Sequence, residues 1–154
     1  MTRTLLLILL LATLAACGPA QLQPTEPPQQ PLPTASAEWT SIRFTQSGGI
    51  MGMLRSLTIA RDGAWTVTDE RSDNTISGTL SADELEKLSS LIASLSIKTD
   101  RQSGVCADCF IYSVEISSSG KSLVAEADDV NLADSGLGPL VMFLTELLGK
   151  ALTK

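Results

Sequence analysis

The chain has 154 residues, with 11 Lys and Arg against 17 Asp and Glu and no histidine, for a formal net charge of −6. An acidic balance lacks the clustered basic face that nucleic-acid binding requires, and it gives no electrostatic attraction to anionic lipid headgroups. Without histidine the commonest general base is missing and every Ser-His-Asp or Cys-His arrangement is excluded, so hydrolysis would fall to carboxylates or lysine.

Met1-Thr2-Arg3 carries one cation, and the chain then runs almost wholly apolar from Leu5 to Leu14 before Ala15-Ala16-Cys17. This is the layout of an export signal, and it is too short for a bilayer span of roughly 20 residues. Leu14-Ala15-Ala16-Cys17 resembles the processing box of bacterial lipoproteins: a large aliphatic residue, two small ones, then the cysteine whose sulfur takes diacylglycerol. The resemblance implies that residues 1–16 are removed and that Cys17 is lipidated. The other reading is an ordinary secretory signal with an unmodified Cys17. Two or three acyl chains hold a protein on a membrane, since each buried methylene contributes about 0.8 kcal/mol. The expected location is therefore the cell envelope, on the extracytoplasmic side of a membrane, and Gly18 in place of Asp resembles no inner-membrane retention signal.

Six of the seven prolines lie between Pro19 and Pro33, among glutamines. Residues 17–37 read as a lipidated cysteine followed by a Pro/Gln-rich tether, extended at about 3.1 Å per residue and reaching on the order of 50 Å. A Pro-rich ligand for a partner domain is the alternative. From Glu38 to Lys154 the composition is that of one globular domain, long enough for a single core.

Ile42 and Phe44 alternate with polar neighbours, Gly48-Gly49 supplies a turn, and Leu57 with Ile59 continues the period of two up to the hairpin signal Arg61-Asp62-Gly63-Ala64. Trp65 and Val67 share one face of a third strand, and Asp73-Asn74 turns into a short fourth strand, Ile76 to Leu80. Ser81-Ala82-Asp83-Glu84 is a capping box, after which Leu85, Leu88, Leu91, Ile92 and Leu95 form one apolar helical stripe ending near Ser96. Phe110, Tyr112, Val114 and Ile116 mark a strand with one buried face, and Ser118-Ser119-Gly120-Lys121 turns into a partner strand from Ser122 to about Ala127. Gly138-Pro139 opens a second amphipathic helix, through Leu140, Val141, Leu144, Leu147 and Leu148, ending near Gly149. The expected fold class is α+β: an antiparallel sheet of a four-strand meander and a two-strand hairpin, with two helices packed on one face.

Cys106-Ala107-Asp108-Cys109 is the sharpest local motif in the domain. With Cys17 set aside, two cysteines remain, and in an exported chain an even remainder points to a disulfide. Free thiols, or a redox or metal pair, are the other readings; a redox cysteine is expected at a helix start, and this pair precedes a strand. Zinc would need two further ligands that no other cysteine or histidine supplies. The acid pairs Asp69-Glu70 and Asp128-Asp129 sit beside turns and read as solvated loop charge, with a weak calcium site around Asp128, Asp129 and Asp134 as the alternative. Trp39, Trp65 and Tyr112 read as packing residues rather than a ligand cage. Ile50, Met51 and Met53 could form a methionine-bearing recognition surface or tuck beneath the sheet.

Ile42-Arg43-Phe44-Thr45-Gln46-Ser47-Gly48-Gly49-Ile50-Met51-Gly52-Met53 resembles the opening of the emfourin-like family, small protein inhibitors of thermolysin-type metalloproteases. The helix entered through Ser81-Ala82-Asp83-Glu84 and the succession of a Phe-x-Tyr strand, a Gly-centred hairpin and a Leu-Gly-Pro-Leu helix extend the resemblance over residues 41–150. The signal, the tether and the Cys106–Cys109 pair depart from the family pattern. The resemblance implies a protein-binding domain with a metalloprotease as partner, and it carries over no inhibitory residue; the expected contact is the exposed apolar loop of Gly48, Gly49, Ile50, Met51, Gly52 and Met53. No catalytic residue, cofactor or resident metal is expected. An accessory or structural envelope lipoprotein is the second reading, and an enzyme using Cys106 in thiol exchange is the third.

Overall fold

The computed structural model describes residues 39–98 and 106–153. The expected signal (residues 1–16), lipidated Cys17 and tether (to residue 37) lie outside the described residues.

Six strands form one antiparallel sheet: β1 (Trp39–Gly48), β2 (Met53–Ala60), β3 (Ala64–Asp69), β4 (Asn74–Thr79), β5 (Phe110–Ser118) and β6 (Lys121–Asp128). Their order across the sheet is β4-β3-β2-β1-β5-β6. The meander thus continues on the β1 side with the later hairpin, so β1 is central and pairs with both β2 and β5. Strand periodicity decides which side chains meet. Ile42 stands opposite Ile59 and Ile116, and Phe44 opposite Leu57 and Val114. Val67 and Ala125 extend the same rungs to either side. All of these, the flanks included, are nearly inaccessible to solvent, so one face of the sheet is the core face. Burying each large aliphatic or aromatic side chain there contributes about 1.5–3 kcal/mol.

Helix α1 (Ala82–Ala93) carries the expected capping box: Ser81 accepts from the Glu84 N–H, and the Glu84 carboxylate accepts from the Ser81 N–H. Its Leu88 and Ile92 enter the core. Helix α3 (Gly138–Leu152), with Pro139 in its first turn, adds Leu140, Leu144 and Leu148 to the same cluster. Among the described residues no helix is long and apolar enough to cross a membrane.

The helical part departs from expectation in three places. A one-turn helix, α2 (Leu132–Ser135), stands between β6 and α3, so the described helices number three and not two. It is set up by Asp128, whose carboxylate accepts from the Val130 and Asn131 N–H groups and folds the chain back after β6. α1 stops at Ala93, short of Ser96, where the Leu95 N–H tightens onto the Ile92 carbonyl. α3 runs past Gly149 to Leu152, because burial of Ala151 extends its apolar stripe and outweighs a glycine cost of about 1 kcal/mol.

Candidate functional site

The tip of the β1–β2 hairpin is built by strand pairing up to its last rung. Gly48 and Met53 are the closing pair, which leaves Gly49, Ile50, Met51 and Gly52 to turn the chain. Ile50 is 87% exposed and Met51 63%. They therefore do not tuck beneath the sheet, whereas Met53, already part of β2, is half-buried.

Three contacts brace this turn. The Gly52 N–H donates to the Gly49 carbonyl at 2.9 Å, and the Gly49 N–H donates to the Cys109 carbonyl at 3.1 Å. From the β3–β4 turn, the Arg71 guanidinium donates to the Met51 carbonyl at 3.3 Å. Gly48 and Gly49 are required here. Both have positive φ, and a Cβ on Gly48 would press on the Cys109 carbonyl while one on Gly49 would meet the Phe110 ring.

Cys106 and Cys109 form a disulfide with Cα atoms 5.5 Å apart, immediately before β5. The pair that the motif suggested thus closes the short turn that receives the hairpin tip. One rung back from the tip, on the face of the sheet away from the core, Leu54 and Ile111 flank Ser47 in register, and both are exposed. The exposed apolar residues at this end therefore come from two hairpins.

Beneath the tip, on the core face, the sheet ends in a polar rung that sequence reasoning did not identify as a unit. Asp69, Arg55, Gln46 and Tyr112 stand side by side across β3, β2, β1 and β5. Arg55 Nε donates to Asp69 Oδ2 at 2.8 Å, and the Asp69 carboxylate also accepts the Arg71 N–H. The Arg55 hydrogen bond is the main cause that holds the Asp69 carboxyl below the ordinary carboxylate range, against the opposing effect of burial. The Tyr112 hydroxyl donates to Asp129 Oδ1 at 2.8 Å, and Asp129 Oδ2 accepts the Phe110 N–H. Burial first, and then the Asp129 carboxylate, push the Tyr112 phenol up to about 12. Asp69 and Tyr112 are thus held far from neutrality in opposite directions, which suits them to bracing and not to proton transfer near pH 7.

This rung corrects the reading of Asp69 as solvated charge, whereas Glu70 and Asp129 are exposed as that reading expects. Asp69 is buried because it continues the inward parity of Trp65 and Val67, and Arg55, on the inward parity of Leu57 and Ile59, meets it there. Asp128 and Asp129 are engaged with backbone N–H groups and the Tyr112 hydroxyl, and among the described residues no cluster of three potential metal ligands occurs. Trp39 and Tyr112 are buried in the core, and Trp65 packs against it, as their strand positions led one to expect.

Comparison with protein-family models gives no match, and comparison with curated proteins gives none.

Proposed function

We propose that this chain is an extracytoplasmic lipoprotein, anchored through Cys17, that docks a partner protein with the β1–β2 tip, and that the partner is a thermolysin-type metalloprotease. The observation that carries the docking surface is the pair Ile50 and Met51, exposed on a turn held from both sides. Exposed apolar residues gathered at one place mark interaction sites in soluble domains. A turn already braced has little conformational freedom left to lose on binding, which favours affinity. The Cys106–Cys109 disulfide supports an oxidising compartment and hence export.

The choice of a metalloprotease rests on the emfourin-like pattern of residues 41–150, from the Gly-Gly-Ile-Met-Gly-Met turn to the Leu-Gly-Pro-Leu helix. On this reading the domain is not itself an enzyme. It acts by occupying a protein surface at a distance from the membrane set by the tether.

Titration of a thermolysin-type protease with the full-length chain carrying Cys17→Ser, following cleavage of a peptide substrate, tests the reading. Saturable inhibition at one domain per protease is the expected result. Undiminished cleavage at micromolar chain contradicts the protease assignment.

A further inference from the structure

A second feature lies toward the other end of the strands, where β3 begins and β4 finishes. A cavity of about 310 Å³ opens there between the sheet, the start of α1 and the end of α3. Leu57 and Trp65 contribute its sheet side, and Leu80, Leu147 and Ala151 its walls. Two features of the sequence make the space. Gly78 has no side chain, so the Trp65 indole lies directly over the edge strand β4. Ala151, on the inward stripe of α3, is the smallest chiral side chain that could stand there.

Among the described residues that line the cavity, the charged ones are Glu84 and Lys150 at the rim, with Glu84 Oε1 and Lys150 Nζ 3.8 Å apart. Each has another commitment: Glu84 Oε2 accepts from Ser81, and Lys150 pairs with Glu146 at 2.9 Å. Thr79 and Thr153 complete the lining, the Thr153 hydroxyl donating to the Gly149 and Lys150 carbonyls of α3.

This lining selects a ligand class. A cavity of about 150 Å³ with apolar walls takes up benzene, so twice that volume accommodates a body of about six to eight carbons. At the rim a carboxylate would lie beside Glu84 and an ammonium beside Lys150, and either would give up its hydration to enter between two groups that already pair with each other. An uncharged head that donates to Glu84 and accepts from Lys150 meets neither like charge. We propose that the cavity between β3, β4 and α3 binds a small uncharged amphiphile, an aliphatic body with a hydroxyl or amide head, with the body against Trp65 and the head between Glu84 and Lys150. This site is independent of the hairpin tip and of the choice of partner there.

The test uses the full-length chain carrying Cys17→Ser, free of detergent, titrated with 1-hexanol, hexanamide, hexanoate and hexylamine while two-dimensional N–H spectra are recorded. Trp39 and Trp65 give two indole signals, and only Trp65 lines the cavity. Hexanol and hexanamide should shift the Trp65 signal saturably and leave Trp39 in place, with hexanoate and hexylamine at least tenfold weaker. Ala151→Phe, which fills the space, should abolish the shift in a chain whose spectrum otherwise stays folded. Should that variant not fold, Lys150→Met at the exposed rim serves instead, and it should bring hexylamine to within threefold of hexanol. No saturable Trp65 shift, an equal shift at Trp39, or equal affinity for the charged and uncharged probes would overturn the proposal.

Discussion

The Gly49 N–H donates to the Cys109 carbonyl at 3.1 Å, and Cys109 is one half of the disulfide that precedes β5. The β1–β2 turn and the Cys106–Cys109 turn, some sixty residues apart in the chain, are thereby held as one unit at the end of the sheet. Opening the disulfide removes a short closed loop, with an expected loss of about 2 kcal/mol of stability. Beyond that loss, the Gly49 amide should exchange its hydrogen faster in Cys106→Ser/Cys109→Ser than the amides of the β3–β4 turn. Hydrogen exchange resolved by residue checks this, and equal acceleration everywhere would contradict the coupling.

Gly49 has a φ of +69°, and a Cβ placed on it would stand 2.9 Å from the Phe110 ring. Gly49→Ala should therefore cost about 1–3 kcal/mol through backbone strain and contact together. Gly52, also at positive φ but with open space around it, supplies the comparison. Urea unfolding should show the Gly49 variant losing more stability than Gly52→Ala.

Tyr112 is the lone tyrosine, so its phenol can be titrated by absorbance without interference. With the folded phenol at about 12, above the ordinary value of 10, the neutral form is the one that folding favours. The stability that follows is fully present below pH 10 and is lost as pH rises from there through about 12. Tyr112→Phe should remove that alkaline dependence and cost about 1 kcal/mol at neutral pH through the lost bond to Asp129. An ordinary phenol titration in the folded chain would contradict the rung geometry.

Asp69 behaves in the opposite sense. Its carboxyl is held below the ordinary range chiefly by the Arg55 hydrogen bond, so its contribution is present at neutral pH. That contribution is lost as pH falls from the unfolded value, about 4, through the lower folded value. Urea midpoints measured from pH 7 downward should fall less steeply over that acid range in Asp69→Asn than in the parent. Parallel curves would mean that the ion pair does not shape acid stability.

The strands were legible because period-two alternation holds from Ile42 to Phe44, from Leu57 to Ile59 and from Tyr112 to Ile116, and because Asp62-Gly63 and Ser119-Gly120 are turn chemistry. The capping box at Ser81 was equally direct. Polarity masks the inward parity of Gln46, Arg55 and Asp69, of which only Asp69 drew a reading, as solvated charge: each sits an even number of residues from a core side chain on its own strand. Following the alternation one step past the last apolar residue would have found the rung. The one-turn helix α2 has too few residues for an apolar period, and its start depends on Asp128 side-chain bonds that spacing alone does not show. The exposure of Ile50 and Met51 depends on where the Gly49 turn is pinned, a contact to Cys109 that is distant in the chain.

The central claim is that the β1–β2 tip is the docking surface, and the most direct measurement compares inhibition of a thermolysin-type protease by Ile50→Asp, Met51→Asp and Met142→Asp chains. Met142 is 70% exposed, between Met51 and Ile50 in accessibility, and belongs to α3 and not to the hairpin, so it controls for a general loss of apolar surface. The account predicts that both tip variants lose at least tenfold in inhibition while Met142→Asp keeps the parent value. Equal inhibition by all three chains would show that the partner is held elsewhere and contradict the claim.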